Sequence, residues 1–418
     1  MRLLCLQIAL GAALLAAGLP AAAQTAAPSP AAAPAATAAP AANAAAIELG
    51  RSRIDAMLRT GHADPSWFAA SFLAQVSAAQ VDAVIAQMLQ AMGAYQSVGF
   101  ASDKFVARFA KGTDDVFIHF DADGKIDGLL FRPPAISTSS LDDGLRMLQQ
   151  TPGLVSYVIV QEGRSERAAL NPSLPLAVGS AFKLAVLSAL LDQIDGGARR
   201  WNDVVPLSAK WKTLPSGVLR TWPADTPLTL ATYAAEMISI SDNMAADALV
   251  RTVGQPALRK YAMGNEPFLT TREMFVLKSS EGVALSREYL AATTPAARTA
   301  AIARADAMPL PKIDQLDSQP ITQIEWHYSV RQLCALMRRV ASLPLMSINP
   351  GVADAGSFAH VAYKGGSDTG ILNLTTMVTT HRGTTLCFSA TLNNDKSEVN
   401  ETAFEADYSA VLRVLATL

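Results

Sequence analysis

Apolar residues recur at helical spacing over residues 47–58 and again over 68–92, after which the pattern shortens to runs at 95–100 and 105–109. Two helices followed by strands are expected. Val116, Ile118 and Phe120 then alternate on one face, Asp123-Gly124 supplies a turn, and residues 126–131 return as a further strand before Pro133-Pro134. The Asp121-x-Asp123-Gly124 string lacks the remaining ligands of a calcium loop, so it reads as that turn. Residues 47–134 thus predict a small α+β unit, helices first and an antiparallel meander after.

A second unit, 135–418, opens on a buried-strand pattern at 154–160 and a partner at 167–170. Gly179 precedes a helical run (Phe182, Leu184, Val186, Leu187, Leu190, Leu191) that stops at Gly196-Gly197. Further helical stretches lie at 228–238, 244–250 and 333–337, strand-like ones at 360–363, 371–378 and 386–388, and a closing helix at 402–415. Strands flank a helix-rich middle.

The ends and the composition add the compartment. Arg2, an apolar run over 3–19 and Ala21-Ala22-Ala23 have the form of a secretory leader, 1–23, cut before Gln24. A periplasmic or secreted protein with no membrane span after cleavage is expected. Residues 24–46, nearly all Ala and Pro, read as a linker. Cys5 leaves with the leader, and the pattern leaves open whether Cys334 and Cys387 pair or remain buried thiols. Of 418 residues 50% are hydrophobic, enough for a sizeable core. The net charge of −2 offers no basic surplus for a nucleic acid partner. The five histidines are scattered and no glycine-rich phosphate loop occurs, so neither a metal nor another cofactor is expected.

Chemistry is concentrated in three short strings: Ser180-Ala181-Phe182-Lys183, Ser241-Asp242-Asn243 and Lys364-Gly365-Gly366-Ser367. Singly, each has a plain reading, the first two as helix caps and the third as a strand end. Together they are more specific. Ser180 opens a helix, and Lys183 three residues on shares its face, so the amine can reach the hydroxyl. The helix end offers N–H groups and a positive dipole to an oxyanion.

In order, spacing and placement these strings resemble the S-x-x-K, S-D-N and K-T-G set of class A β-lactamases and penicillin-recognising serine hydrolases, over about residues 151–418. That resemblance implies a class A β-lactamase/transpeptidase-like domain, a five-stranded antiparallel sheet flanked by helices with a helical lobe between its second and third strands. The unit at 47–134 is similar in layout to small α+β domains of nuclear-transport-factor (NTF2) or ketosteroid-isomerase type, which implies a spacer or docking role.

Carried over residue by residue, the resemblance implies Ser180 as acylated nucleophile, Lys183 as base or proton relay, and Ser241 as the donor to the leaving group. Asn243 would hold the substrate amide and Lys364 its carboxylate, with Gly366 and Ser367 lining the substrate strand. The N–H groups of Ser180 and Ser367 would form the oxyanion hole. Two departures stand out: Gly365 replaces the hydroxyl residue of the third string, and Glu266-Pro267-Phe268-Leu269-Thr270 keeps only part of the E-x-x-L-N string that carries the deacylation base. The loop there reads as shortened. The implied substrates are a small β-lactam or ester, with cell-wall peptide as the alternative of a penicillin-binding protein or D-Ala-D-Ala peptidase. An acylated sensor without turnover is a third.

Overall fold

Alanine has the strongest intrinsic helix preference, and helix α1 (Ala39–Thr60) accordingly begins inside the stretch read as linker. The computed structural model describes residues 39–418 except 75, 102, 103, 133, 134, 137, 139, 165 and 317–320, with side chains from residue 44 onward and that of 135 excluded. The secretory leader and the Pro133-Pro134 boundary therefore lie outside the described residues. Among the described residues no helix is long and apolar enough to cross a membrane. The chain divides into two compact units, one ending at Pro134 and the other spanning Ala135–Leu418.

In the first unit α1 is followed by α2 (Ala78–Met92), which starts on a capping box between Ser77 and Gln80. Four antiparallel strands come next, β1 (Tyr95–Ala101), β2 (Lys104–Phe109), β3 (Gly112–Phe120) and β4 (Ile126–Phe131), paired in sequence order. Asp121-Gly124 is a turn, with the Gly124 N–H donating to the Asp121 carbonyl at 3.1 Å and Gly124 at φ +71°. Buried Ile54, Met57, Ile85 and Met88 from the helices and Phe105, Ala107 and Val116 from the sheet form its core.

The second unit is built on one antiparallel sheet whose strands come from both ends of its sequence. Helix α3 (Leu141–Gln150) leads to β5 (Leu154–Gln161) and β6 (Glu166–Leu170), and the remaining strands arrive nearly 190 residues later. Between them lie α4 (Lys183–Asp195), α5 (Leu230–Ser239), α6 (Asn243–Val253), α7 (Gln255–Ala262), α8 (Thr271–Leu277), α9 (Val283–Ala291), α10 (Pro295–Ala307) and α11 (Val330–Val340). Strands β7 (His360–Asp368), β8 (Ile371–Thr379) and β9 (Thr385–Asn393) and helix α12 (Glu401–Leu415) close the chain. The five strands lie in the order β7-β8-β9-β5-β6, so β7 is an edge.

Each sheet face buries its own cluster. Leu145 and Leu148 of α3 and Phe404, Tyr408 and Val411 of α12 cover Val155, Ile159, Phe388 and Leu392 on one side. Phe388 and Tyr408 stack at 4.1 Å between ring centroids. The other face carries the helical lobe, with α4 at its centre and nearly every α4 side chain from Lys183 to Leu190 buried. There Cys334 of α11 and Cys387 of β9 form a disulfide with Cα atoms 5.8 Å apart. The apolar patterns around both cysteines bury them against each other, which resolves the choice the sequence left open.

Candidate active site

The nucleophile candidate is placed by a short strand. Leu176-Ala177 pairs with His327-Tyr328, the Val178 N–H donates to the Trp326 carbonyl at 3.1 Å, and Asn393 grips both backbone groups of Ala177 at 2.9 Å. Gly179 then turns the chain with φ +50°, and a β-carbon there would lie 2.9 Å from the Ser367 nitrogen. Only glycine meets both conditions. Ser180 follows in a 3-10 turn, Gly179–Phe182, that runs into α4. Side chains three apart eclipse in a 3-10 turn, so Ser180 and Lys183 face one another more directly than on the α-helix the spacing suggested. Phe182 locks the turn by stacking on Trp326 at 3.7 Å.

Ser241 sits between α5 and α6 at φ +58°. That strained backbone is held by Asp242, which is fully buried and caps α6 by accepting from the Ala245 N–H at 2.8 Å. Its second oxygen accepts from the N–H groups of Val218 (2.6 Å) and Leu219 (2.8 Å). The helix-cap reading of Ser241-Asp242-Asn243 therefore describes Asp242, while its two neighbours turn into the cleft.

Lys183 Nζ is the hub. It lies 3.0 Å from Ser180 Oγ, 3.0 Å from Ser241 Oγ, 2.6 Å from the Ser241 carbonyl and 2.7 Å from Asn243 Oδ1. Two of these partners can only accept, which uses both N–H bonds of a neutral amine and leaves its lone pair to the hydroxyls. Burial first, and then the Lys364 ammonium, hold this amine well below the ordinary lysine range, against the opposing pull of Asp242 and Asp247. A buried lysine whose proton affinity is depressed beside a serine is suited to accept that serine's proton.

Lys364 comes from β7, where it pairs across with Thr375, and donates to Ser241 Oγ at 3.0 Å and to the Gly365 carbonyl at 2.6 Å. A β-carbon at Gly366 would lie 2.3 Å from the Ser180 nitrogen and 2.3 Å from the Val178 carbonyl. The glycine is what allows the edge strand to run against the Ser180 backbone, with Ser367 next along it. All seven residues singled out in the sequence are thus brought to one place.

Glu266 is not among the partners of Lys183. The chain enters α8 within five residues of it, and Thr270 is engaged as the cap: its hydroxyl accepts from the Glu273 N–H at 3.2 Å while Glu273 accepts from the Thr270 N–H at 2.7 Å. The segment between α8 and β7 is long and carries α9, α10 and α11.

Several contributors carried no recognisable string. Ser216 donates to the Ser241 carbonyl at 2.6 Å and accepts the Asn243 N–H at 3.1 Å, and Asn243 Nδ2 donates to the Leu214 carbonyl at 3.2 Å. The Pro-Ser-Gly turn at 215–217 was the available signal. Asp247, one turn beyond Asn243, accepts the N–H groups of Thr271 (2.6 Å) and Arg272 (2.9 Å), tying α6 to α8; burial pushes its carboxyl up to about 7. Lys278 joins Glu325 (2.6 Å) and Asp368 (2.8 Å) in a buried cluster that fixes the end of β7. Among the described residues no group of His, Cys, Asp or Glu side chains is gathered to hold a metal.

Residues 141–304 match the model of the β-lactamase enzyme family. No curated protein matches the chain. Among solved structures it is similar to a β-lactamase of Sphaerobacter thermophilus, 20% identical with 66% of this chain and 95% of that one covered at a TM-score of 0.47. A β-lactamase of Chitinophaga pinensis is 19% identical over 66% of this chain and 97% of its own, TM-score 0.45. The structure of PBP-A is 14% identical over 68% and 98%, TM-score 0.44.

Proposed function

We propose, from the match of residues 141–304 to the β-lactamase enzyme family and the geometry around Ser180, an exported serine hydrolase that opens a β-lactam amide or cleaves an ester through an acyl-Ser180 intermediate. The observation that carries this reading is the Lys183 amine, buried 3.0 Å from Ser180 Oγ with its proton affinity held well below that of an ordinary lysine.

In this account Lys183 takes the Ser180 proton as Oγ bonds to the carbonyl carbon. The developing oxyanion is met by the N–H groups of Ser180 and Ser367. The bond to the leaving nitrogen or oxygen then breaks, and the proton passes from Lys183 through the Ser241 hydroxyl to that atom. Lys364 donates to Ser241 and so orients the relay, and its charge keeps Lys183 from holding the proton too tightly. Asn243 binds the substrate amide beside it. Water finally attacks the ester and returns Ser180. The disulfide supports export, since such bonds persist in oxidising compartments.

Thr270 favours a second reading for the last step. The Thr270 hydroxyl is engaged as a helix cap and Glu266 is not among the Lys183 partners, so neither of these two is arranged to activate water at the ester. A long-lived acyl-enzyme, as in a penicillin-binding protein or D-Ala-D-Ala peptidase, follows from that arrangement. Intact mass followed over time after a benzylpenicillin pulse separates the two. Mass gained and lost within seconds indicates a β-lactamase, and mass gained and retained for hours indicates the slow reading. No mass gain from any β-lactam or activated ester removes the acyl-serine proposal.

A further inference from the structure

Gly365 stands where the motif places a hydroxyl residue, and the structure shows what fills that space. A β-carbon built on Gly365 would lie 2.2 Å from the Tyr363 hydroxyl oxygen and 2.9 Å from its Cζ. The phenol therefore occupies the volume into which a side chain at 365 would project. Residues 363 and 365 share one face of β7, and Lys364 between them faces Ser241 on the other.

The ring is held rigidly. A β-carbon on Gly351 (φ +61°) would lie 2.5 Å from three ring carbons, so the phenol lies flat against that glycine. The Gly351 N–H donates to Asn349 Oδ1 at 2.9 Å, and Asn349 Nδ2 donates to the Ser239 carbonyl at 2.9 Å, two residues before Ser241. Across the strand Gly365 faces Leu374, a buried apolar residue that offers an anion nothing.

We propose that Tyr363 is a specificity-determining residue, whose hydroxyl donates to the substrate carboxylate that Lys364 binds from the other side. This rests on the reading of Ser180 and Lys183 given above. It replaces a short side chain at 365 with a longer one reaching back from 363, so the polar group returns while the strand keeps a glycine at its edge. A charged acceptor makes the bond worth roughly tenfold in binding.

The test uses the full chain and two probes that acylate the same serine, benzylpenicillin, which carries a carboxylate, and 4-nitrophenyl acetate, which does not. Tyr363→Phe keeps the ring packing on Gly351. It should lower the ratio of the two second-order acylation constants about tenfold, through the penicillin term. An unchanged ratio, or equal losses on both probes, overturns the role of Tyr363 while leaving Ser180 as nucleophile. If the wild-type protein reacts with neither probe, the reading of the site falls and this inference falls with it.

Discussion

Lys183 and Lys364, 181 residues apart on a buried helix and an edge strand, both reach the Ser241 hydroxyl at 3.0 Å. Two ammonium groups would repel at this separation. Burial and this repulsion together depress the proton affinity of Lys183, the more buried of the two.

Removing the second charge should therefore be visible as a shift in pH dependence. Lys364→Gln takes away a positive neighbour, so the Lys183 amine regains affinity for protons and stays charged to higher pH. The acidic limb of the 4-nitrophenyl acetate acylation profile is expected to move upward, the neutral ester being chosen because Lys364 is also proposed to bind a substrate carboxylate. A limb that stays in place would show that the two lysines do not communicate.

Asp242 holds the Ser241 turn with three backbone N–H groups. Asp242→Ala leaves those donors buried without acceptors, at a cost of about 1–3 kcal/mol for each that finds no water. A fall in unfolding free energy of about 3 kcal/mol or more is expected in urea melts, with acylation slowed about a hundredfold as Ser241 loses its position. Wild-type acylation in a destabilised variant would mean the turn is held by Ser216 instead.

The disulfide closes a loop of 53 residues, for which chain entropy gives at most about 4 kcal/mol. Cys334→Ala/Cys387→Ala should unfold at clearly lower denaturant concentration while still labelling at Ser180, because neither cysteine touches the Lys183 network. Equal midpoints in the two proteins would show that the bridge contributes nothing.

In the first unit Asp114 is 1% exposed, and among the described residues neither carboxylate oxygen has a partner in good hydrogen-bond geometry, the Arg132 N–H exerting only a weak opposing pull. Burial, reinforced by the charge of Asp115, raises its proton affinity well above that of an ordinary carboxyl. The native chain thus keeps a proton that the unfolded chain releases near pH 4, and stability falls as pH rises from there toward the raised native value. Asp114→Asn should stabilise the full chain at pH about 7 and less so near pH 4, read by thermal melts. A gain that does not depend on pH would mean the carboxyl titrates normally.

Much of this was legible in the sequence because three strings carry local geometry as well as chemistry. Ser180 and Lys183 are neighbours by spacing alone, Asp242 lies in a string read as a helix cap, and Lys364-Gly365-Gly366-Ser367 was placed at the end of a strand. The apolar periods likewise gave the strands at both ends of the second unit and the helical lobe between them. What stayed hidden depends on contacts between distant segments. The Pro-Ser-Gly turn that cradles Asp242, the Lys278-Glu325-Asp368 cluster and the Tyr363 hydroxyl over Gly365 are each made by residues whose own neighbourhoods look ordinary. The cysteines belong with these, since only the packing of α11 on β9 brings Cys334 to Cys387. At α1 the signal was present but outweighed: the Ala/Pro composition of a linker concealed the helix preference of its alanines.

The most direct measurement of the central claim is peptide mapping by tandem mass spectrometry after a brief benzylpenicillin pulse. The account predicts one added penicilloyl group, found on the peptide containing Ser180, absent from Ser180→Ala and strongly delayed in Lys183→Ala. A penicilloyl group on another residue, or undiminished labelling of Ser180→Ala, would contradict it.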